Sequence, residues 1–308
     1  MNLLLLKFLT ILVLFSVQFA QAETLEQRVR NRFVVSNYAM SSSLMYGGYV
    51  MYLQNMDDKL CAMKNNMLFM VDHEGGRVNR LKSKLPAAST YPKMNKDVFY
   101  SLWKEDIKTL KSKCFDMILG PTVDTQFNDR SYTNDLATNL IIADKISTII
   151  QSHKMIPTYK HFPGDLTDCE VLYVRKEIKR CPQGTKEIQA MWQPFKNSKA
   201  PALIISNYIY ENYSPLPAVL DKKYYDFLRN DLNYQGVILT DALWEMSIPL
   251  TTNSVWEIFK NADLLMIMNP SEAEKFVPII ANKLKNNPQE MLNLEEKEKR
   301  ILKMKELL

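Results

Sequence analysis

Eight short stretches of nearly continuous apolar residues recur along the chain, each about the length of one strand. They lie at residues 31–37, 47–54, 67–72, 115–121, 155–162, 201–208, 236–241 and 263–269. These stretches do not alternate apolar with polar residues, and continuous apolar runs are typical of strands that are covered on both faces. The pattern therefore predicts a buried, mainly parallel sheet.

Helical patterns lie between several of these runs. Apolar residues recur near a 3.6-residue period over residues 134–154, and another helix is centred on residues 254–262. Asp221 is a candidate N-cap for a helix that follows it, and residues 289–308 have the pattern of a terminal amphipathic helix. Strands that alternate with helices predict an α/β fold with a parallel sheet.

The number and spacing of the runs indicate which α/β fold this is. Eight strand–helix units in about 250 residues match a (β/α)8 TIM-type barrel. A doubly wound open sheet is the alternative, but no G-x-G-x-x-G turn supports it. We find no internal repeat, low-complexity tract or Gly/Ser linker, so residues 23–308 are predicted to form a single barrel domain.

The first 22 residues are predicted to be a signal peptide. They combine one lysine, a long apolar stretch and a small-residue end at Ala20 and Ala22, after which cleavage is expected. An uncleaved anchor is the alternative, although the run 8–15 is short for a membrane span. We expect an exported protein, periplasmic or secreted, with no stable membrane span after cleavage.

Charge and composition exclude some classes of function. The 308 residues carry a formal charge of +5, but the basic residues are dispersed and form no dense tract beside aromatic residues, so no nucleic-acid partner is expected. With three histidines and no zinc-type Cys/His spacing, no metal site is expected, and no cofactor motif occurs. Nothing in the sequence specifies an oligomeric state.

Polar residues gather at the ends of the predicted strands, where a barrel carries its chemistry. They are Asp72, Glu74, Asp124, Lys160, His161, Asn207 and Asp241. Carboxylates, a lysine and a histidine on one face predict a polar pocket rather than a plain turn. We interpret Arg77 as the partner in a salt bridge that fixes its loop, with Glu74 as the candidate acid.

Four ordered motifs, "VDHEGGRVNRL", "NDRSY", "KHFPG" and "GVILTDAL", follow the predicted strands. Together they resemble glycoside hydrolase family 3, in its single-domain β-N-acetylglucosaminidase branch, over about residues 27–285. The resemblance implies a TIM-type barrel and a retaining glycosidase that removes terminal β-linked N-acetylglucosamine from a carbohydrate substrate. Glycans and peptidoglycan fragments are candidate substrates.

The resemblance also assigns roles to individual residues. Asp241 matches the family nucleophile, an ionised carboxylate that attacks the anomeric carbon. Asp72 matches the carboxylate that accepts hydrogen bonds from sugar hydroxyl groups. Arg130, Lys160 and His161 match donors that bind sugar oxygens and surround the nucleophile with positive charge, which keeps it ionised.

The chain departs from the family where the general acid/base is expected. The family pattern places an Asp–His pair on the loop after K-H-F-P-G, but here no histidine follows His161. Asp165 and Asp168 on this loop are the candidate substitutes, and a solvated acidic loop without a proton-transfer role is the alternative. Asn207, a candidate substrate-binding residue, stands where the family has a second histidine, and Ala242 replaces the second Asp of the nucleophile motif.

These departures leave competing functions open. An exported β-glycosidase is the first hypothesis, a catalytically weak or inactive sugar-binding relative is the second, and a non-catalytic envelope role is the third. The departure matters because assistance by a general acid contributes about 10² to 10⁴ in rate.

Four cysteines follow the signal peptide, and an oxidising compartment would allow disulfides. Cys169 and Cys181 bracket a short segment just after the candidate acid/base loop and are one predicted pair. Cys61 and Cys114 precede neighbouring strands and would meet at the N-terminal edge of the barrel, which makes them the second pair. Four buried free thiols remain the alternative.

Overall fold

The protein is described from a computed structural model. The structure describes residues 23–36, 44–51, 61, 67–126, 128–164, 169–174, 176–246 and 249–308. For residues 170–174 and 176–179 only the backbone is described.

Eleven strands lie in the described part of the chain, in two sheets. They are β1 (Phe33–Ser36), β2 (Gly48–Met51), β3 (Leu68–Asp72), β4 (Met117–Thr122), β5 (Ile156–Phe162), β6 (Glu170–Val174), β7 (Lys176–Cys181), β8 (Ala202–Ile205), β9 (Ile209–Tyr210), β10 (Val237–Thr240) and β11 (Leu265–Ile267). Each of the eight predicted apolar runs contains one strand of the larger sheet.

The larger sheet is a parallel barrel. Its strands are ordered β10-β8-β5-β4-β3-β2-β1-β11. A parallel bridge between Leu239 of β10 and Leu264, next to β11, brings the two edges together. The amide of Thr240 also donates to the carbonyl of Leu264 at 3.0 Å. The fold is therefore the predicted single-domain (β/α)8 TIM-type barrel.

The barrel strands are mainly apolar because each one faces two cores. In β1, Val34 points into the barrel and packs in a cluster with Leu68 and Met117. Its neighbours Phe33 and Val35 belong to the layer between sheet and helices. Successive side chains of a strand point to opposite faces, so burial of both faces requires apolar residues at nearly every position.

Helices cover the outside of the barrel. They are α1 (Leu25–Arg30), α2 (Lys96–Ser112), α3 (Leu136–Ser152), α4 (Thr185–Trp192), α5 (Lys222–Asp226), α6 (Thr252–Asn261), α7 (Pro270–Lys285) and α8 (Pro288–Lys305). Asp221 caps α5 as predicted, since its side chain accepts the amide of Lys223 at 2.9 Å. None of the helices in the described ranges is long and apolar enough to cross a membrane.

A small second sheet was not predicted. The antiparallel hairpin β6–β7 pairs in parallel with β9, beyond the end of β8. Residues 171–179 mix apolar and charged residues. They therefore lack the continuous apolar pattern that predicted the barrel strands. The hairpin directly follows residues 165–168.

The four cysteines form two disulfides. Cys61 is bonded to Cys114, and Cys169 is bonded to Cys181. These are the two pairs expected from the sequence, and the alternative of free thiols does not apply to this structure. The second bond closes the base of the β6–β7 hairpin, with a separation of 12 residues along the chain. It therefore fixes the C-terminal side of the 165–168 segment.

Candidate active site

A cavity of about 670 Å³ opens at the C-terminal ends of the barrel strands. All six predicted nucleophile and substrate-binding residues line it, namely Asp72, Arg130, Lys160, His161, Asn207 and Asp241. They come from the ends of β3, β5, β8 and β10 and from the loop after β4. The parallel strands place these ends on one edge of the barrel, as the sequence indicated.

Asp241 directly follows β10 and borders the cavity. Its amide donates to the carbonyl of Ile205 at 2.9 Å, which joins it to the neighbouring strand. Its Oδ1 accepts the amide of Ala242 at 2.8 Å, and its Oδ2 lies 3.8 Å from His161 Nε2. The carboxylate is therefore held by a rigid strand end with one oxygen close to the imidazole.

Lys160 links two carboxylates at the floor of the cavity. Its Nζ forms ion pairs with Asp72 and, at 2.5 Å, with Glu74 Oε1. Burial disfavours the charged form of Asp72, but the attraction of Lys160, Arg130 and Arg80 is stronger and holds its pKa below the usual range. Asp72 therefore stays ionised, which suits an acceptor for sugar hydroxyl groups rather than a general acid.

Glu74 is the buried partner of Arg130. The guanidinium donates from Nε and Nη2 to the two oxygens of Glu74, both at 2.8 Å. The expected pairing of Glu74 with Arg77 is wrong, because Arg77 pairs with Asp129 at 3.2 Å on the exposed rim. The bidentate pair instead fixes the direction of Arg130 beside the cavity.

His161 is oriented by a second buried carboxylate. Asp124 Oδ2 lies 2.9 Å from the Nδ1 atom of His161, and its Oδ1 accepts the His161 amide at 3.1 Å. The pairing of β5 with β8 shifts register between Lys160 and Phe162, a bulge that lets both Lys160 and His161 line the cavity. Asp124 therefore leaves Nε2 as the nitrogen that faces Asp241.

The same carboxylates raise the pKa of His161. Burial opposes its charged form, but the attraction of Asp124, its hydrogen bond and the charge of Asp241 together raise the pKa above the ordinary value. A raised folded-state pKa means that the imidazolium stabilises the fold fully below the unfolded pKa of about 6.5. This contribution is lost as pH rises through the folded-state value.

Replacement of Asp124 by Asn is expected to lower the pKa of His161 and so to move the alkaline limb of kcat/KM to lower pH, because an opposite charge is removed from beside the imidazole. A pH–rate profile measures this shift. Asp129→Asn is the matched control, since that carboxylate lies on the exposed rim and pairs with Arg77. An unshifted profile in Asp124→Asn would contradict the role of the imidazolium.

The side chain of Asn207 borders the cavity. Its Nδ2 donates to the carbonyl of Ala242 at 2.8 Å, which fixes the orientation of the amide. Its Oδ1 is buried and has no hydrogen-bond partner among the described residues. A buried acceptor without a partner costs free energy unless a ligand or water donates to it. A donor that reached this oxygen, next to the nucleophile, would therefore be favoured.

Several residues at the site were not identified from the sequence. Arg80 donates from Nη2 to Asp72 at 3.1 Å, and its place in the "VDHEGGRVNRL" motif could have pointed to it. Trp244 and Glu245 line the cavity from the turn after Asp241. His73 is structural, since it is fully buried with Nε2 at 2.9 Å from Asp106.

Asp165 and Asp168, the predicted acid/base candidates, lie outside the described residues. The chain on either side of them is anchored. The carbonyl of Pro163 accepts the indole N–H of Trp192 at 2.8 Å, and Tyr210 donates to the carbonyl of Gly164 at 2.6 Å. On the other side, Cys169 is tied to the hairpin.

Comparison with known proteins agrees with this geometry. The model of the "Glycosyl hydrolase family 3 N terminal domain" matches residues 42–304. A "Beta-hexosaminidase" of Glaesserella parasuis is 27% identical over 274 residues, which is 79% of each chain.

Solved structures share the fold. A glycosyl hydrolase of family 3 from Mycobacterium smegmatis superposes with a TM-score of 0.80 at 17% identity, covering 92% of this chain and 97% of the other. A family 3 β-N-acetylglucosaminidase from Paenibacillus sp. FPU-7 has a TM-score of 0.80 at 19% identity, covering 93% of this chain and 63% of the other.

The barrel, its cavity and these relatives define the class of the protein, a glycoside hydrolase. The chain belongs to glycoside hydrolase family 3. Its relatives include proteins named beta-hexosaminidase, and its fold is that of solved family 3 enzymes.

Proposed function

We propose that the protein is an exported, retaining β-N-acetylglucosaminidase that acts on terminal sugars of glycans or peptidoglycan fragments. One observation carries the proposal. Asp241 stands at the end of a barrel strand, 3.8 Å from His161, in the same cavity as Lys160 and Arg130. A carboxylate at a fixed strand end, beside an imidazole and in the same cavity as two cationic side chains, suits nucleophilic attack on an anomeric carbon.

The chemistry requires two displacements. In the first, an oxygen of Asp241 bonds to the anomeric carbon, and the bond to the glycosidic oxygen breaks as that oxygen receives a proton. In the second, a water molecule attacks the same carbon, loses a proton to the general base and releases Asp241. The imidazolium of His161 stabilises the carboxylate in the free enzyme and when it is released again.

Asn207 supports a preference for a 2-acetamido sugar. Its amide is bonded to the carbonyl of Ala242, the residue after the nucleophile. The substituent at C2 is the one next to the carbon that Asp241 attacks. The free Oδ1 acceptor of Asn207 would therefore receive the N–H of an acetamido group.

A panel of 4-nitrophenyl β-glycosides tests the activity, and the variant Asn207→Leu tests this preference. The wild-type protein is expected to hydrolyse the N-acetylglucosaminide faster than the glucoside. Asn207→Leu removes the acceptor without adding a charge next to Asp241. Asn207→Leu is expected to lower the kcat/KM ratio between the two substrates by about tenfold, the effect of losing one buried hydrogen bond. An unchanged ratio would contradict this assignment.

We assign the acid/base role to the loop carboxylates Asp165 and Asp168. Replacement of each by Ala is expected to slow substrates with poor leaving groups by about 10² or more, because these need the proton most. Activated aryl glycosides are expected to react nearly normally in the first step. Glu245→Ala is the matched control, since Glu245 is another carboxylate that lines the cavity. Wild-type rates on natural substrates in both loop variants would exclude the assignment.

Export follows from the predicted signal peptide over residues 1–22, with residues 23–308 as the mature barrel domain. The two disulfides support this location, because such bonds persist in oxidising compartments. N-terminal sequencing of protein from the periplasmic or secreted fraction tests it. A mature protein that starts at Met1 would contradict cleavage.

A catalytically weak sugar-binding protein is the second candidate function. One observation favours it, namely that no histidine follows His161 anywhere in the chain. In this case the protein would bind N-acetylglucosamine with no turnover of any glycoside in the panel. Turnover that is lost in Asp241→Asn would exclude this candidate.

A further inference from the structure

A second cavity lies at the opposite end of the barrel from the candidate active site. Its volume is about 410 Å³. It is bordered by the residues just before β8 and β10, including Pro201 and Gly236, and by the C-terminal end of α8. We call it the basal cavity, because it opens at the N-terminal ends of the strands.

The charged residues of the basal cavity are all cationic. They are Lys196, Lys199, Arg300 and Lys303, and its lining contains no Asp or Glu among the described residues. The three lysines are exposed, and within the described ranges none of them forms an ion pair. The rim therefore carries positive charge that no acidic side chain offsets.

A cluster of arginine side chains lies behind the wall of the basal cavity. Arg300 and Arg229 share one carboxylate, that of Asp263, at 2.8 Å and 2.5 Å. Asp263 is fully buried, and the buried Arg32 donates to the carbonyl of Ala262 next to it. One carboxylate thus faces several guanidinium groups, so this part of the protein carries excess positive charge in a low-dielectric surrounding.

The wall itself is rigid. Arg229 donates to the carbonyls of Tyr234 and Gly236 at 2.6 Å and 2.8 Å, which fixes the turn that forms one side of the cavity. On another side, Ser198 donates to Asp144 at 3.1 Å, and Asp144 also accepts the hydroxyl of Tyr159. Asp144 is therefore engaged in structural hydrogen bonds, and among the described residues it forms no ion pair with the lysines of the rim.

One part of the basal cavity is apolar, beside the polar side chains Gln151, Asn233 and Gln235. Phe195, Leu232 and Met304 are buried there, and Leu307 is partly exposed at its edge. An apolar interior below a cationic rim is complementary to a molecule with an acidic head and an apolar tail. A purely polar anion would leave the apolar wall in contact with water, and a neutral apolar ligand would not use the charge.

We infer that the basal cavity binds a small amphipathic anion, a single-chain alkyl phosphate or fatty carboxylate. Its head would lie at Lys196, Lys199 and Lys303, and its tail would lie against Met304 and Leu307. This site is separate from the glycosidase site and does not depend on the proposed hydrolytic function.

Isothermal titration of the mature protein with decyl phosphate and with decanoate, both below their micelle concentrations, tests the inference. One saturable site per chain is expected, with affinity that falls as salt is added. Comparison of the two ligands distinguishes a phosphate head from a carboxylate head. Inorganic phosphate lacks the alkyl tail, and decyltrimethylammonium has the tail but the opposite charge. Both are expected to bind far more weakly than the alkyl anions.

The double variant Lys199→Glu/Lys303→Glu is expected to weaken binding of the alkyl anion by about tenfold or more, since two attractions become repulsions. Lys186→Glu/Lys285→Glu is the matched control, because it changes the net charge equally at exposed positions outside the cavity. Equal affinity in the two double variants would overturn the site. If decyltrimethylammonium binds as tightly as the alkyl anions, the proposed role of the cationic rim is wrong. If inorganic phosphate binds as tightly, the proposed role of the apolar wall is wrong.

Discussion

Replacement of Asp241 by Asn is expected to lower kcat/KM on an aryl N-acetylglucosaminide by about 10⁴-fold or more, which corresponds to ~5.5 kcal/mol of transition-state free energy. The physical reason is that the amide cannot form the glycosyl-enzyme bond, while the rest of the cavity remains intact. Its hydrogen bond from Ala242 at 2.8 Å can still be accepted by the amide oxygen. Initial rates over a range of substrate concentrations measure the effect.

A mechanism-based label identifies the reacting atom directly. A 5-fluoro glycosyl fluoride is expected to leave a covalent adduct on Asp241, which peptide mass mapping locates. Asp72 is the informative comparison, because it lines the same cavity but forms an ion pair with Lys160. An adduct on another carboxylate, together with normal turnover in Asp241→Ala, would refute the assignment.

Glu74→Gln is expected to lower the free energy of unfolding by about 3 kcal/mol or more. Glu74 is 3% exposed and is the partner of both Arg130 and Lys160. Neutralising it leaves the buried Lys160 and the partly buried Arg130 with too little negative charge nearby. Urea denaturation measures the change, and an unaltered m-value would show that the native state has kept its compactness.

Asp129→Asn provides the matched control for this stability experiment. It neutralises a carboxylate that also pairs with an arginine, Arg77, but the side chains are 42% and 62% exposed. An exposed pair of this kind contributes at most about 1 kcal/mol. If the two substitutions lower the free energy of unfolding equally, burial of the Glu74 ion pairs is not the cause of the destabilisation.

The fold could be predicted because strands that are buried on both faces appear in the sequence as continuous apolar runs. Each continuous apolar run became one barrel strand, and residues at the run ends became the cavity lining. The β6–β7 hairpin has no continuous apolar run, since it mixes apolar with charged residues and pairs outside the barrel. Its position depends on contacts with β9 that no local pattern specifies.

The residues that line the cavity could largely be predicted, but the ion pairs between them could not. Motifs and strand ends pointed to Asp72, Lys160 and Asp241, because these positions follow from the chain direction. Which cation pairs with Glu74 did not follow, because Arg130 is 56 residues away along the chain while Arg77 is three away. The basal cavity was likewise not foreseen, since its walls come from four separate parts of the sequence.

The closure of the barrel also has a consequence for the order in which the chain can fold. The first strand, β1, pairs with β11, and α1 is held by salt bridges from Arg28 to Glu298 and from Arg30 to Glu274. These contacts join residues more than 230 positions apart, so they depend on the last helices being present. Loop closure over such distances is slow. Until β11 is available, one edge of β1 has no partner strand, and until α7 and α8 are available, α1 lacks its salt bridges. The N-terminal part of the chain therefore cannot complete its native structure by itself.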